Sequence, residues 1–334
     1  MASLTSLKRN MYLTITLIFG VLFALVSAVT WYLGSSIYVS IFFALFIVFL
    51  QWLISPSIVA WSTKLQYLKP GENTFLETTV RELAEKSNIP MPRLAVVPDQ
   101  TPNAFVFGRT RGSSTLAVHQ GLLSRLNQDE VRAVLAHEVG HLKHNDSTIM
   151  TFASAVPLIA YMVARSFMFA RGGGKKAGQA IIVGLFSYVV YFLAQLLVMS
   201  LSRSREFYAD AYSAFVTDKP HDLSSALTKI TYGLSLSKEE TSGLRAFYIG
   251  DPSSAKREIS DIRDKAAQYD LNRDGVLDSR ELELAMEQEA KSRWASANEL
   301  FSTHPPTFKR IAQLATIEEE IRQGGFEKNI YRTI

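Results

Sequence analysis

The chain has 334 residues, 48% hydrophobic and 20% charged, with 35 basic against 31 acidic side chains and a net charge of +4. So mild a balance, without an aromatic-studded basic face, makes nucleic acid a poor expectation. Cysteine is absent, which excludes disulfides and thiol catalysis together and fits a reducing compartment.

Residues 11–33 and 37–55 carry no charged side chain. Each is about as long as a helix must be to cross a bilayer core. The first run passes through Trp31 and Tyr32, aromatics suited to a membrane interface, into a short Gly34-Ser-Ser turn. A cleaved signal peptide would end instead in a small-residue cleavage site, so residues 1–63 are predicted to form a membrane hairpin.

Residues 64–146 are more polar. A helix is predicted over 74–87, with Phe75, Val80, Leu83 and Ala84 on one buried face. Three short β-rich runs follow, 93–97, 104–108 and 114–119, separated by Pro, Gly and Asn, and they predict a small sheet. His119, on the last run, reads as a strand side chain rather than a ligand.

The sequence VLAHEVGHLKH, residues 134–144, then places His137 and His141 four apart and so on one helix face. Two neutral imidazoles there can hold one zinc ion, and Glu138, next round the helix, can reach a water on the metal and take its proton. Asn127 and Glu130 have the spacing of a capping box that starts this helix.

A second apolar pair, about 147–164 and 177–201, predicts another hairpin over 147–202. A cytoplasmic amino terminus puts Lys8, Arg9, Lys64, Lys69, Lys143, Arg203 and Arg205 inside and leaves Arg165, Arg171, Lys175 and Lys176 outside. That balance predicts a multi-pass cell-membrane protein with the HEVGH helix and both termini in the cytoplasm.

Directly after the fourth apolar run, SRSREFYAD places Glu206 and Asp210 four apart at the head of a segment, 203–255, expected to carry further helices. A catalytic zinc needs three protein ligands and an open position, and Glu206 is the best candidate for the third. Asp210 is placed to accept from the distal nitrogen of a zinc-bound histidine.

With HEVGH, two apolar spans, REFYAD and then FSTHPPTFKR at 301–310, the chain resembles the HtpX family of membrane-embedded zinc metalloproteases, relatives of the CAAX prenyl endopeptidases. The match includes IPMPR at 89–93 and PNAF at 102–105 and covers most of the chain. It implies that His137, His141 and Glu206 hold zinc, that Glu138 is the general base and that the site faces the cytoplasm. It also implies that His304, in the 295–334 unit, lies near the zinc and assists the transition state or gates the site. Misfolded membrane proteins are the family's usual substrates, with a role in quality control and stress response.

Residues 256–294 depart from that family. Asp270, Asn272, Asp274, Val276, Asp278 and Glu281 fall on the ligand positions of a twelve-residue EF-hand loop, with Gly275 at its sharp turn. A calcium ion is therefore expected beside the zinc. The fold expected is a mainly α membrane protein, with four transmembrane helices and a zincin-like α+β catalytic domain holding a small sheet. The function expected is zinc endopeptidase, acting on protein substrates at the lipid bilayer and laying them along the 114–119 strand by strand addition. The competing expectation is a non-catalytic, calcium-responsive scaffold with a structural zinc site. Such sites are normally closed by four ligands, often thiolates, and this chain has no thiol. A transporter would want more polar or broken spans than Gln195 and Gly184 supply.

Overall fold

The computed structural model describes residues 4–169, 175–236, 248–272, 277, 279–289, 300 and 302–324. Helices α1 (Leu4–Leu33) and α2 (Ile37–Ser62) form the first hairpin. Gly34 turns the chain at φ +61°, a conformation most side chains avoid, and the Ser36 hydroxyl caps α2 by accepting from the Tyr38 N–H. Helix α2 runs on past residue 55, through Pro56. A proline inside an apolar helix removes one backbone bond without ending the helix when neighbouring groups satisfy what it frees. Next to the freed Trp52 carbonyl, Arg109 donates through Nε to the Leu53 carbonyl at 3.1 Å.

Next come β1 (Gln66–Tyr67), α3 (Thr74–Ser87), β2 (Arg93–Val97), β3 (Ala104–Phe107) and, after a 3-10 turn, β4 (Thr115–His119). The sheet order is β1-β2-β4-β3. Strands β2 and β4 run parallel, with Ala95 opposite Ala117, and β3 is antiparallel to β4, with Phe105 opposite Ala117. This corrects the expectation for the 114–119 strand: β4 is paired on both sides and cannot accept a substrate strand, whereas β3 is the edge. Its five residues are all buried, as fits a central strand. Chain order hid this, because the crossover from β2 to β4 leaves β3 outside.

One sheet face packs Leu116 and Val118 with Leu76, Val80 and Leu83 of α3 and with Val134, Leu135 and Val139 of α5 (Gln128–Lys143), which follows the short α4 (Gln120–Arg125). Full burial of each such side chain contributes about 1.5–3 kcal/mol. The other face packs Ala95, Val97, Phe105 and Phe107 against Val59 of α2, so the sheet sits on the end of a membrane helix.

The second hairpin is α6 (Asp146–Met168) and α7 (Lys175–Thr217). Helix α7 has 43 residues and does not break near 202, where a separate third-ligand helix was expected to begin. No Pro or Gly occurs in it after Gly184, so nothing interrupts the turns between the apolar run and Glu206. Among the described residues four helices, α1, α2, α6 and α7, are long and apolar enough to cross a membrane. Large side chains such as Phe23, Phe42 and Leu45 lie exposed on them, as bilayer-facing surface requires.

Helices α8 (Pro220–Ser235), α9 (Pro252–Asp264), α10 (Ala266–Tyr269), α11 (Ser279–Glu289) and α12 (Thr307–Arg322) complete the described elements. Ile259, Ile262, Met286, Phe308 and Ile311 form a core shared by α9, α11 and α12, while Leu223, Leu227 and Ile230 of α8 join the main core. Glu258 on α9 accepts from the Thr307 N–H at 3.1 Å and so caps α12, and burial pushes its carboxyl up to about 7.

Candidate active site

Helix α5 carries the first three site residues and is fixed at its start. Asn127 Oδ1 accepts from the Glu130 N–H and Glu130 Oε2 from the Asn127 N–H, each at 2.9 Å, the reciprocal capping expected from the sequence. Glu130 Oε1 also takes Lys229 Nζ of α8 at 2.6 Å, tying the cap to the next layer. Gly140 admits α7: a Cβ there would stand 3.0 Å from the Tyr212 ring.

At the far end of that contact the imidazoles of His137 and His141 meet Glu206 of α7. His137 Nε2 and His141 Nε2 are 3.1 Å apart, and the Glu206 oxygens lie 3.7 and 3.5 Å from them. The three donors all fall within 4.8 Å of one another, a spacing that one metal ion can bridge. Each histidine is held from behind by a carboxylate. His137 Nδ1 lies 2.9 Å from Asp210 Oδ1, and His141 Nδ1 lies 2.7 Å from Asp146 Oδ2. These partners keep both Nε2 lone pairs turned toward Glu206. Burial lowers the pKa of both rings, that of His141 to about 4, so both are neutral and able to ligate at physiological pH. Glu206 Oε2 is buried and faces Arg310 Nη1 at 3.2 Å and His304 Nδ1 at 3.7 Å, and the Arg310 charge helps to keep the carboxylate ionised and able to ligate. The residues present fit zinc.

Glu138 points into the same space, and burial, followed by the nearby Glu206 charge, raises its carboxyl well above the usual range. His304 Nδ1 stands 3.7 Å from Glu206 Oε2. It is held there by its own carbonyl, which accepts from Ser302 Oγ at 2.8 Å, while the Ser302 carbonyl accepts from Arg203 Nη1 at 2.7 Å. A cavity of about 690 Å³ opens from these residues, lined by β3 on one side and by α2, α6 and α7 on the others.

The family model described as "Peptidase family M48" matches residues 70–318, most of the chain and the whole of this site. The chain belongs to peptidase family M48. Among its curated M48 relatives, the HtpX protease homologue of Methanothermobacter thermautotrophicus is 40% identical over 232 residues, 69% of this chain and 87% of that one. A second HtpX homologue, from Methanosarcina mazei, is 32% identical over 94% of this chain and 96% of its own length. A solved structure, Ste24p of S. mikatae, overlaps at a TM-score of 0.44 and 18% identity, covering 66% of this chain and 56% of that one. This M48 member is a multi-pass membrane protease.

Three residues of the M48 site were not foreseen. Asp146 and Arg205 form a buried pair behind His141. Arg310 on α12 grips Asp210 with Nε at 2.8 Å and Nη2 at 2.6 Å, reaches Glu206 Oε2 with Nη1 at 3.2 Å, and donates to the Ile249 carbonyl. The signal for Arg310 was present, six residues after His304 in HPPTFKR, but nothing local told its direction. His119 is a buried strand-end residue whose Nδ1 lies 3.0 Å from the Thr101 carbonyl, away from the metal cluster.

Of the expected calcium ligands, Asp274, Val276 and Asp278 lie outside the described residues. Asp270 caps the carboxyl end of α10, and Glu281 opens α11 and turns back, its Oε1 accepting from the N–H groups of Leu271 and Asn272 at 2.8 and 3.2 Å.

Proposed function

We propose that this membrane protease is a zinc endopeptidase of broad specificity that cuts misfolded or damaged membrane proteins. The observation that carries the reading is the three-donor cluster of His137, His141 and Glu206, backed by Asp210 and Asp146 and open on a cavity that also holds Glu138. Three protein donors leave a position for water, which favours catalysis over a closed structural site. When bound, zinc supplies Lewis-acid polarisation of the scissile carbonyl and a lowered pKa for water.

The chain's own groups do the rest. Glu138 takes the proton of the attacking water at its carboxylate and passes it to the leaving amine, and burial, which raises its pKa, strengthens it as a proton acceptor. His304, beside Glu206, donates to the oxygen that gains charge in the transition state. The edge strand β3, which lines the cavity, pairs with the substrate backbone, which gives main-chain bonds without demanding particular side chains. The site and both termini face the cytoplasm, a topology that a carboxyl-terminal reporter accessible only from outside would reverse.

Glu138→Gln should keep stoichiometric zinc while losing about 10²–10⁴-fold in peptide cleavage, because it removes a base and no ligand. Glu206→Ala should lose both. Undiminished cleavage by the first variant refutes the mechanism, and full zinc in the second refutes the ligand set. We also assign calcium to the 270–281 loop, supported by its ligand pattern and by α10 and α11 on either side. Titration calorimetry that finds no calcium binding removes that assignment.

A further inference from the structure

The cavity does not stop at the metal cluster. On α6 it reaches Tyr161, fifteen residues beyond Asp146, and on α7 it reaches Tyr191, fifteen residues before Glu206. At 1.5 Å per residue both distances are about 22 Å. The two tyrosine rings meet there at 5.7 Å. The slot therefore runs along helices that read as membrane spans, to a depth that an extended peptide of about six or seven residues would fill. Helices α2 and α7 flank it and both pack on α6, so α6 is its floor.

Its wall has a definite chemistry. The charged lining residues lie at the metal end, and deeper in the slot the lining is neutral. Gln51 of α2 donates through Nε2 to Ser154 Oγ at 3.2 Å and toward the Thr151 carbonyl at 3.5 Å, which fixes its amide and leaves Oε1 buried with no partner. Two prolines line the same space, Pro56 of α2 and Pro157 of α6. Pro56 cannot donate the helical hydrogen bond, so the carbonyl of Trp52, also on the lining, loses its usual donor. A wall of neutral acceptors at this depth is costly in hydrocarbon unless something brings N–H groups to it. An acyl chain brings none and a cation would want charge. A polypeptide backbone that has left its helix brings one N–H per residue.

We infer that this slot receives the unwound, extended end of a substrate's transmembrane segment, entering between α2 and α7, and that Gln51 selects it by accepting a backbone N–H. The inference rests on the proteolytic reading of the site. It separates two kinds of substrate. A soluble peptide needs only the β3 edge and the catalytic groups, whereas an emerging membrane segment also uses the slot.

Two measurements on liposome-reconstituted, zinc-loaded protein test it. Gln51→Leu should raise KM for a single-span membrane substrate about tenfold, the worth of one hydrogen bond, with kcat unchanged and with casein cleavage unaffected. Equal losses on both substrates, or no loss on either, overturn the inference. The second measurement does not need cleavage. The chain has no cysteine, so Gln51→Cys in the Glu138→Gln background is unique and can be oxidised against a substrate carrying one cysteine at the end of its span. A disulfide adduct should form there and not with Phe46→Cys on the exposed flank of α2. No adduct, or equal adducts at both positions, overturns it. An adduct formed by a protein whose unmutated form cuts nothing would uphold the slot and refute the protease chemistry.

Discussion

Arg310→Met is the most informative perturbation of the site, because it replaces neither a proposed metal ligand nor the proposed base. Arg310 is 1% exposed and Asp210 is 0% exposed, and they are joined by two hydrogen bonds of 2.8 and 2.6 Å. Burial alone would make the guanidinium easier to deprotonate, but Asp210 and Glu206 hold it firmly charged. Methionine fills most of the volume and leaves two buried carboxylates with no cation between them. Breaking a buried pair from one side costs about 3–5 kcal/mol. At about 2–4 °C per kcal/mol for a chain of this size, the metal-free protein should melt about 6–20 °C lower. Zinc supplies positive charge to the same carboxylates, so loading it should recover part of the loss. Arg310→Lys keeps the charge without the planar fork and should fall between the two. Thermal melts in detergent, with chelator and with zinc, give all of these values. A metal-free Arg310→Met protein that melts within about 1 kcal/mol of the parent would refute the view that this guanidinium neutralises the site.

Asp146→Asn should weaken zinc binding about 10–100-fold, read by chelator competition, because it loosens His141 and strands Arg205. Glu258 makes stability depend on pH. Its folded pKa of about 7 lies above the ordinary 4.5, so its contribution is full below about pH 4.5 and is lost as pH rises through about 7. Melts of Glu258→Gln should therefore vary less over that window, by roughly 1–3 kcal/mol, and identical slopes would remove Glu258 as the cause.

Much of the site was legible because its residues repeat at helical spacing. His137, Glu138 and His141 share one helix with a readable cap, and Glu206 and Asp210 share another, so local period put each set on one face, and the need of a two-histidine site for a third donor joined the sets. Arg310 and Asp146 were not legible for the opposite reason. Arg310 reaches Asp210 across 100 positions of chain, and Asp146 acts from the first turn of a helix whose sequence reads only as membrane-crossing. The strand order was hidden in the same way: three short runs show that a sheet exists, but which one lies at the edge depends on a crossover that leaves no periodic trace. The helices run on past 55 and 201, because charge and proline end an apolar run without ending a helix.

The unbroken α7 joins the metal cluster to the bilayer as one rod, about 64 Å long at 1.5 Å per residue. A helix in a bilayer adjusts to its thickness by tilting. With no hinge between the lipid-facing turns and Glu206, a change of tilt moves the third donor against the two on α5. Reconstitution in thin and in thick bilayers is therefore expected to change the cleavage rate, and equal rates would show that α5 follows α7 as it tilts.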